Sequence, residues 1–250
     1  MKHFKLMMLG LALSAGFTTQ TQAQEAQSFV HQQSNTEDYV WPTDPQVLTK
    51  LKHWQDQKFG VLMHWGLYSV PGIVESWSIC SEDWIVRERK PTYEEDKAWY
   101  WSQKDSLNPV NFDPGKWADV MKKAGMKYMI FTTKHHDGFC MFDTKYTDFS
   151  IAHGPFGKDP RHNIAKEVFN AYRNKGFMIG CYFSKPDWHS KWFWNPYYAT
   201  PNRRINYKKQ QHPDWWQNYR KFTQNQLNEL TTDYGNIDIL WLDGGWITGD

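Results

Sequence analysis

Cysteine is scarce in this chain of 250 residues, where Cys80, Cys140 and Cys181 are the only three. None belongs to a C-x-x-C pair, which removes most support for a structural zinc site, and an odd count leaves at least one thiol free unless it pairs between chains. Charge of one sign is not in excess either. Lys and Arg number 29 against 27 Asp and Glu, a balance that argues against nucleic acid as a partner. The apolar run from Leu6 to Phe17 is too short for a bilayer-spanning helix. Lys2 and Lys5 precede it and Thr21-Gln22-Ala23 follows, so residues 1–23 are expected to be a secretory signal. The expected destination is a periplasm or the extracellular space. A polar lead over residues 24–44 then precedes the expected folded domain, residues 45–250.

Aromatics, by contrast, are abundant: 17% of the chain, with 15 tryptophans. Most must pack in a core, but a surplus can also line a site that stacks flat ligand faces such as sugar rings. Their setting is a repeating alternation of helix and strand. PQVLTKLKHWQDQ places Val47, Leu48, Leu51 and Trp54 at helical spacing, and FGVLMHWG (59–66) then reads as a strand. DPGKWADVMKKAG reads as a helix with Asp113 as N-cap, Pro114 at its first position and Gly125 as its stop. KYMIFTTKHH (127–136) is the next strand. RHNIAKEVFNAYRNKG, FMIGCYFS (177–184), PDWWQNYRKFTQNQLNEL and NIDILWLDG (236–244) repeat the pattern twice more. Nearly continuous apolar strands alternating with helices predict parallel strands covered on both faces. The fold class is α/β, either a barrel or a doubly wound sheet.

Residues 67–112 and 185–212 form connections far longer than usual. Both follow strand C-termini, where such folds build their sites. The second, with KWFWNPYYATPN, reads either as a ligand-facing loop or as a plain surface loop. Each strand also finishes on residues capable of chemistry: His64 and Trp65, then His135, His136 and Asp137, then Tyr182 and Ser184, then Trp241 and Asp243. Strand alternation puts Trp241 and Asp243 on one face, with space left by Gly244 and Gly245. Two chemistries can use such a rim. One is metal-assisted hydrolysis with His64, His135 or His136, and Asp243 as ligands, against which adjacent histidines on a continuing strand would face opposite sides. The other is carbohydrate chemistry, with imidazoles and indoles binding the sugar while a carboxylate attacks the anomeric carbon.

FGVLMHWGLYSVP, FDPGKWADVMKKAGMKYMIFTTKHHDGF, GCYFSKPDW and ILWLDGGW closely resemble, in that order, the N-terminal half of family 29 glycoside hydrolases, the retaining alpha-L-fucosidases. The resemblance runs from about residue 45 to the chain end. It implies a (β/α)8-like barrel, of which about the first four strands are present, and hydrolysis of terminal alpha-linked L-fucose from fucosylated glycans. It implies no metal and no cofactor. Asp243 matches the family's nucleophile. His64, His135, His136, Trp77, Tyr182 and Trp241 match its fucose-binding residues, although the segment Glu75-Ser76-Trp77-Ser78 departs from the usual Glu-Trp-Tyr pattern.

A retaining mechanism also needs a second group about 5 Å from the nucleophile to protonate the leaving oxygen and later activate water. The resemblance places that group beyond residue 250, while Glu75, Glu82, Asp137 and Asp187 lie in suitable loops without an assigned role. The expected reading is therefore an alpha-L-fucosidase that needs further C-terminal sequence, the chain alone being inactive. The alternative is a catalytically silent fucose-binding module.

Overall fold

The computed structural model describes residues 40–82, 92–199 and 202–247. The expected signal and the polar lead as far as residue 39 lie outside them. Contacts divide the chain into two compact units, residues 1–54 and 55–250. In the first, the described residues are a short extended stretch and most of helix α1 (Pro45–Gln57), which has no buried residue. Asp44 starts α1, its carboxylate accepting a hydrogen bond from Gln46 N at 2.7 Å.

The second unit is built on four parallel strands: β1 (Gly60–Met63), β2 (Tyr128–Lys134), β3 (Met178–Ser184) and β4 (Ile239–Asp243). Their spatial order follows the chain, β1-β2-β3-β4. A doubly wound sheet would reverse direction from its first strand, whereas consecutive barrel strands succeed one another. The order therefore decides for barrel-type winding. β1 and β4 are the two edges of this sheet, and Leu240, Trp241 and Leu242 on β4 are 43–47% exposed.

The helices end where their sequence signals lie. Helix α2 (Tyr93–Ser102) stands inside the stretch 67–112, which the sequence reading treats as one connection. Its signal was present in PTYEE: Thr92 accepts from Glu95 N while the Glu95 carboxylate accepts from Thr92 N at 3.1 Å, a capping box. Helix α3 (Pro114–Lys123) opens on Asp113, which accepts from Lys116 N at 3.0 Å, and Gly125 leaves it at φ 84°. Helix α4 (Ile164–Asn174) buries Ile164, Ala165, Val168, Phe169 and Tyr172 along one face. Helix α5 (Pro213–Asp233) precedes β4. Among the described residues no helix is long and apolar enough to cross a membrane.

The core lies on one face of the sheet. Met129, Phe131, Ile179, Cys181 and Phe183 alternate onto that face and join Val168 and Phe169 of α4 in one buried cluster, with the Phe131 and Phe169 rings edge to face at 6.5 Å. All three cysteines are buried, and none forms a disulfide among the described residues. The opposite face carries, in register, Thr132, Tyr182 and Trp241, with His64 one step beyond the β1 pairing. Most aromatics of the 185–212 loop also pack inward, Trp188, Phe193 and Trp194 being buried. That part of the loop is core, whereas residues 196–199, Tyr197 among them, are exposed.

Candidate active site

One irregularity aims the site. β2 and β3 pair Thr132 with Tyr182 and Lys134 with Phe183, so Thr133 is an extra residue and the register shifts. Such a bulge reverses the alternation of everything after it. Lys134 is thereby turned to the core face, where its ammonium sits 4.2 Å from the Phe183 ring centroid. His135 is brought round to the face of Tyr182 and Asp243. β2 ends at Lys134, so His136 is not held to strand alternation either. The sequence argument that adjacent histidines diverge therefore does not hold: the His135 and His136 rings lie 4.3 Å apart.

The seven residues named from the sequence fall into one neighbourhood, with one at its margin. Tyr182 donates its hydroxyl hydrogen bond to Asp243 Oδ2, and Gly244 N donates to Asp243 Oδ1 at 2.5 Å. His136 Nε2 approaches Asp243 Oδ2 at 3.7 Å. His64 Nδ1 shares a 2.6 Å hydrogen bond with Thr132 Oγ1, and its ring meets Tyr182 edge on at 4.8 Å. The His135 ring stacks parallel to Tyr182, and Trp77 packs edge on against His136 at 5.1 Å. Trp241 shares the strand face, but its indole is 47% exposed and has no ring contact with the histidines among the described residues. Trp65 is turned away, against Phe112 and Trp117.

Other participants were not named as site residues. Ser76 Oγ lies 2.5 Å from His135 Nδ1, which fixes that imidazole from behind. Trp246, the last residue of the quoted ILWLDGGW motif, closes on Trp77 and His136 at 5.8 and 5.3 Å. Arg203 places its guanidinium 5.1 and 5.2 Å from the Trp77 and Trp246 rings and is held by Glu82 at 2.8 Å.

Of the four unassigned acids, three are committed elsewhere. Glu82 pairs with Arg203, Asp187 with Lys134 at 3.1 Å, and buried Asp137 accepts from Tyr100 Oη at 2.5 Å. Glu75 faces the cluster, its carboxylate 3.9 Å from His64 Nε2 and 3.6 Å from His135 Nε2. Its backbone sits at φ 49°, an unfavourable setting for a non-glycine residue that the surrounding contacts must hold.

The imidazoles are neutral. Burial pushes His136 down to about 3, aided by the charges of Lys134 and Arg203, and burial pushes His135 well below the usual histidine value against the pull of Asp243. His64 is lowered by burial against the opposing pull of Glu75 and Asp243. The approaches to Asp243 and Glu75 are thus contacts between neutral rings and carboxylates rather than ion pairs. Burial and Asp243 push Tyr182 far up, so its hydroxyl stays a donor.

Groups that bind fewer protons folded than unfolded make stability fall as pH drops between the two pKa values. For His136 that window runs from about 6.5 to about 3. Asp137, raised by burial to about 7, opposes it, gaining stability as pH falls from 7 toward the usual Asp range. Thermal midpoints recorded from pH 7.5 to 5 are expected to decline less steeply in His136→Gln than in the parent protein. Parallel curves would show that His136 carries none of the dependence.

The resulting rim is a carboxylate with two donors, three neutral imidazoles and a wall of indoles. Ligand atoms of His135, His136 and Asp243 also lie within 4.8 Å of one another, a spacing that could hold a metal ion.

The chain matches the family profile described as Alpha-L-fucosidase over residues 26–249. It is 29% identical over 211 residues to plasma alpha-L-fucosidase of Homo sapiens, covering 78% of this chain and 40% of that protein. Among solved structures it resembles alpha-L-fucosidase isoenzyme 1 from Paenibacillus thiaminolyticus, with TM-score 0.61, 34% identity, and coverage of 80% of this chain and 44% of that one. A Bacteroides thetaiotaomicron alpha-L-fucosidase, trapped as a covalent intermediate with 2-fluoro-fucosyl fluoride, gives TM-score 0.61 and 32% identity over 85% of this chain and 44% of that one. The chain spans less than half the length of these relatives. With the profile matched over nearly its whole length, the chain belongs to the alpha-L-fucosidase family.

Proposed function

We propose that this chain carries the nucleophile half of a retaining alpha-L-fucosidase site acting on fucosylated oligosaccharides or glycoconjugates, in an exported protein. The observation that carries the reading is Asp243 at the end of β4, oriented by Tyr182 Oη and Gly244 N beneath neutral His136. In the first step an Asp243 oxygen bonds to the anomeric carbon as the glycosidic carbon–oxygen bond breaks, and the leaving oxygen takes a proton from the general acid. In the second, water replaces the Asp243 ester after giving its proton to the same group acting as base, so configuration is retained. The family resemblance puts the acid/base beyond residue 250, and no acid of this chain is assigned the role: Glu82, Asp137 and Asp187 are engaged by Arg203, Tyr100 and Lys134, and Glu75 lies against His64 and His135. His64, His135 and His136, held neutral, can donate to or accept from fucose hydroxyls, and Trp77 offers an apolar face to the 6-deoxy carbon.

Turnover of an aryl alpha-L-fucoside, followed by NMR of the first sugar released, tests the reading. The alpha anomer is expected first, in a form of the protein that completes the barrel, with negligible turnover by the 250-residue chain alone. First release of the beta anomer would overturn the retaining assignment. The spacing of His135, His136 and Asp243 favours a second reading, metal-assisted hydrolysis. A chelator is expected to leave the rate unchanged, whereas loss restored by zinc would establish the metal reading instead.

A further inference from the structure

Two hydroxyls stand behind the imidazoles of the site, and both meet the same ring atom. Ser76 Oγ lies 2.5 Å from Nδ1 of His135, and Thr132 Oγ1 lies 2.6 Å from Nδ1 of His64. Ser76 and Thr132 are both buried. The fold delivers them by separate routes. β1 pairs Met63 with Phe131, so His64 comes to rest beside Thr132, which directly precedes the bulge in β2. Ser76 opens the short 3₁₀ turn Trp77–Ile79, a place where a serine hydroxyl ordinarily caps a free backbone N–H. It makes no such cap and is turned to His135 instead.

The opposite edges of the two rings meet one carboxylate. His135 Nε2 lies 3.6 Å from Glu75 Oε2, and His64 Nε2 lies 3.9 Å from Glu75 Oε1. A neutral imidazole carries one N–H and one lone pair, and the partner of each nitrogen decides which it holds. A lone pair on Nε2 would be repelled by the Glu75 oxygen, whereas an N–H there is attracted to it. The proton therefore belongs on Nε2 in both rings. Nδ1 is then the acceptor, and a hydroxyl, which can donate or accept, rotates to supply the hydrogen. The contacts run from hydroxyl to imidazole to carboxylate to imidazole to hydroxyl. His136 lies outside them, and its Nδ1 has no hydrogen-bond partner among the described residues.

We propose that Ser76 and Thr132 are positioning residues of the site, their hydroxyls donating to Nδ1 of His135 and His64 and holding both rings in the Nε2–H tautomer. Each ring then offers a ligand a donor, not an acceptor. The Nε2 edge is also the open one, since the side chains of His64 and Glu75 are 29% and 33% exposed. Oxygen lone pairs of the ligand are thus what the two rings select. The inference rests on the fucosidase reading for the identity of that ligand, while the ring protons can be observed without it.

A long-range ¹H–¹⁵N correlation spectrum at neutral pH tests it, recorded on a form of the protein that completes the barrel and carries ¹⁵N in histidine alone. His64→Gln and His135→Gln assign the two rings. Both rings are expected to show a protonated Nε2 and an unprotonated, hydrogen-bonded Nδ1, and a proton on Nδ1 of either would overturn the proposal. Ser76→Ala and Thr132→Val each take away one hydroxyl and little else. Each is expected to move the Nδ1 resonance of its own histidine to that of a free lone pair. KM for 4-nitrophenyl alpha-L-fucoside is expected to rise about fivefold in each, with kcat falling less, because one ring loses its aim while Asp243 is untouched. Thr132→Ser keeps the hydroxyl and should restore both the Nδ1 signal and KM. Nδ1 resonances and KM left unmoved by Ser76→Ala and Thr132→Val would overturn the positioning role. Nδ1 signals that depend on the hydroxyls, without any turnover of the aryl fucoside, would leave the tautomers standing and count against the fucosidase reading instead.

Discussion

In a form of the protein that completes the barrel, Asp243→Ala is expected to lower turnover of an aryl alpha-L-fucoside by about 10⁴-fold or more, the scale of loss seen when a covalent nucleophile is removed. The loss should fall on kcat and not on folding. Asp243 sits at the rim with its side chain 37% exposed, and alanine there leaves no buried cavity. Tyr182 Oη would lose its acceptor but still lies 3.3 Å from Ser184 Oγ. Azide supplies an independent check, because a small anion can enter the space left by the carboxylate and attack the anomeric carbon directly. The product expected is a beta-fucosyl azide, inverted relative to substrate. Turnover by Asp243→Ala close to that of the parent would remove Asp243 from the role.

Lys134→Met is expected to destabilise the fold by about 3–5 kcal/mol, since it leaves the Asp187 carboxylate buried without its ammonium. Lys134 and Asp187 are 0% and 2% exposed, and Lys134 Nζ reaches both Asp187 Oδ2 and Gln226 Oε1 at 3.1 Å. Asp187 also accepts from His189 N and Ser190 N, and a Cβ at Gly138 would collide with it, so the pair clamps the loop after β2 to the loop after β3. A drop of about 10 °C in the thermal midpoint corresponds to that range for a domain of this size. Lys134→Met combined with Asp187→Leu should recover part of the loss, because an apolar pair of similar volume replaces two desolvated charges. A double variant no more stable than the single one would show that the buried carboxylate is not the cause. In the form that completes the barrel, turnover should fall with the single substitution as well, since the loops it loosens carry His136 and Trp188.

The α/β class and four parallel strands were legible because each strand is a short apolar run and each helix carries its own end signals. Asp113, Pro114 and Gly125 bound α3 in sequence as they do in space. Helix α2 lies inside a long connection, although Thr92 and Glu95 mark its start. Its apolar pattern is weak, because the two residues it buries, Asp96 and Tyr100, share a face one turn apart but one of them is charged. The choice between barrel and doubly wound sheet was beyond periodicity, which carries no information on strand order.

The site divides along the same line. Asp243 beside Trp241, and the rim of histidines and Tyr182, follow from strand endings and a period of two, which are local properties of the chain. The convergence of His135 with His136 does not, because it needs the extra residue at Thr133, and a bulge is defined only against the partner strand. The same holds for the environment of the charges. Sequence supplied the imidazoles, the lysine and the acids as residue types. Burial, which is a property of everything packed around them, made the imidazoles neutral, paired Lys134 with Asp187 and left Glu75 facing the cluster. Local chain chemistry thus determined which elements form and which side chains reach their ends. Only the tertiary structure decided which of those side chains meet, because register, burial and loop-to-loop contacts join residues far apart in the chain.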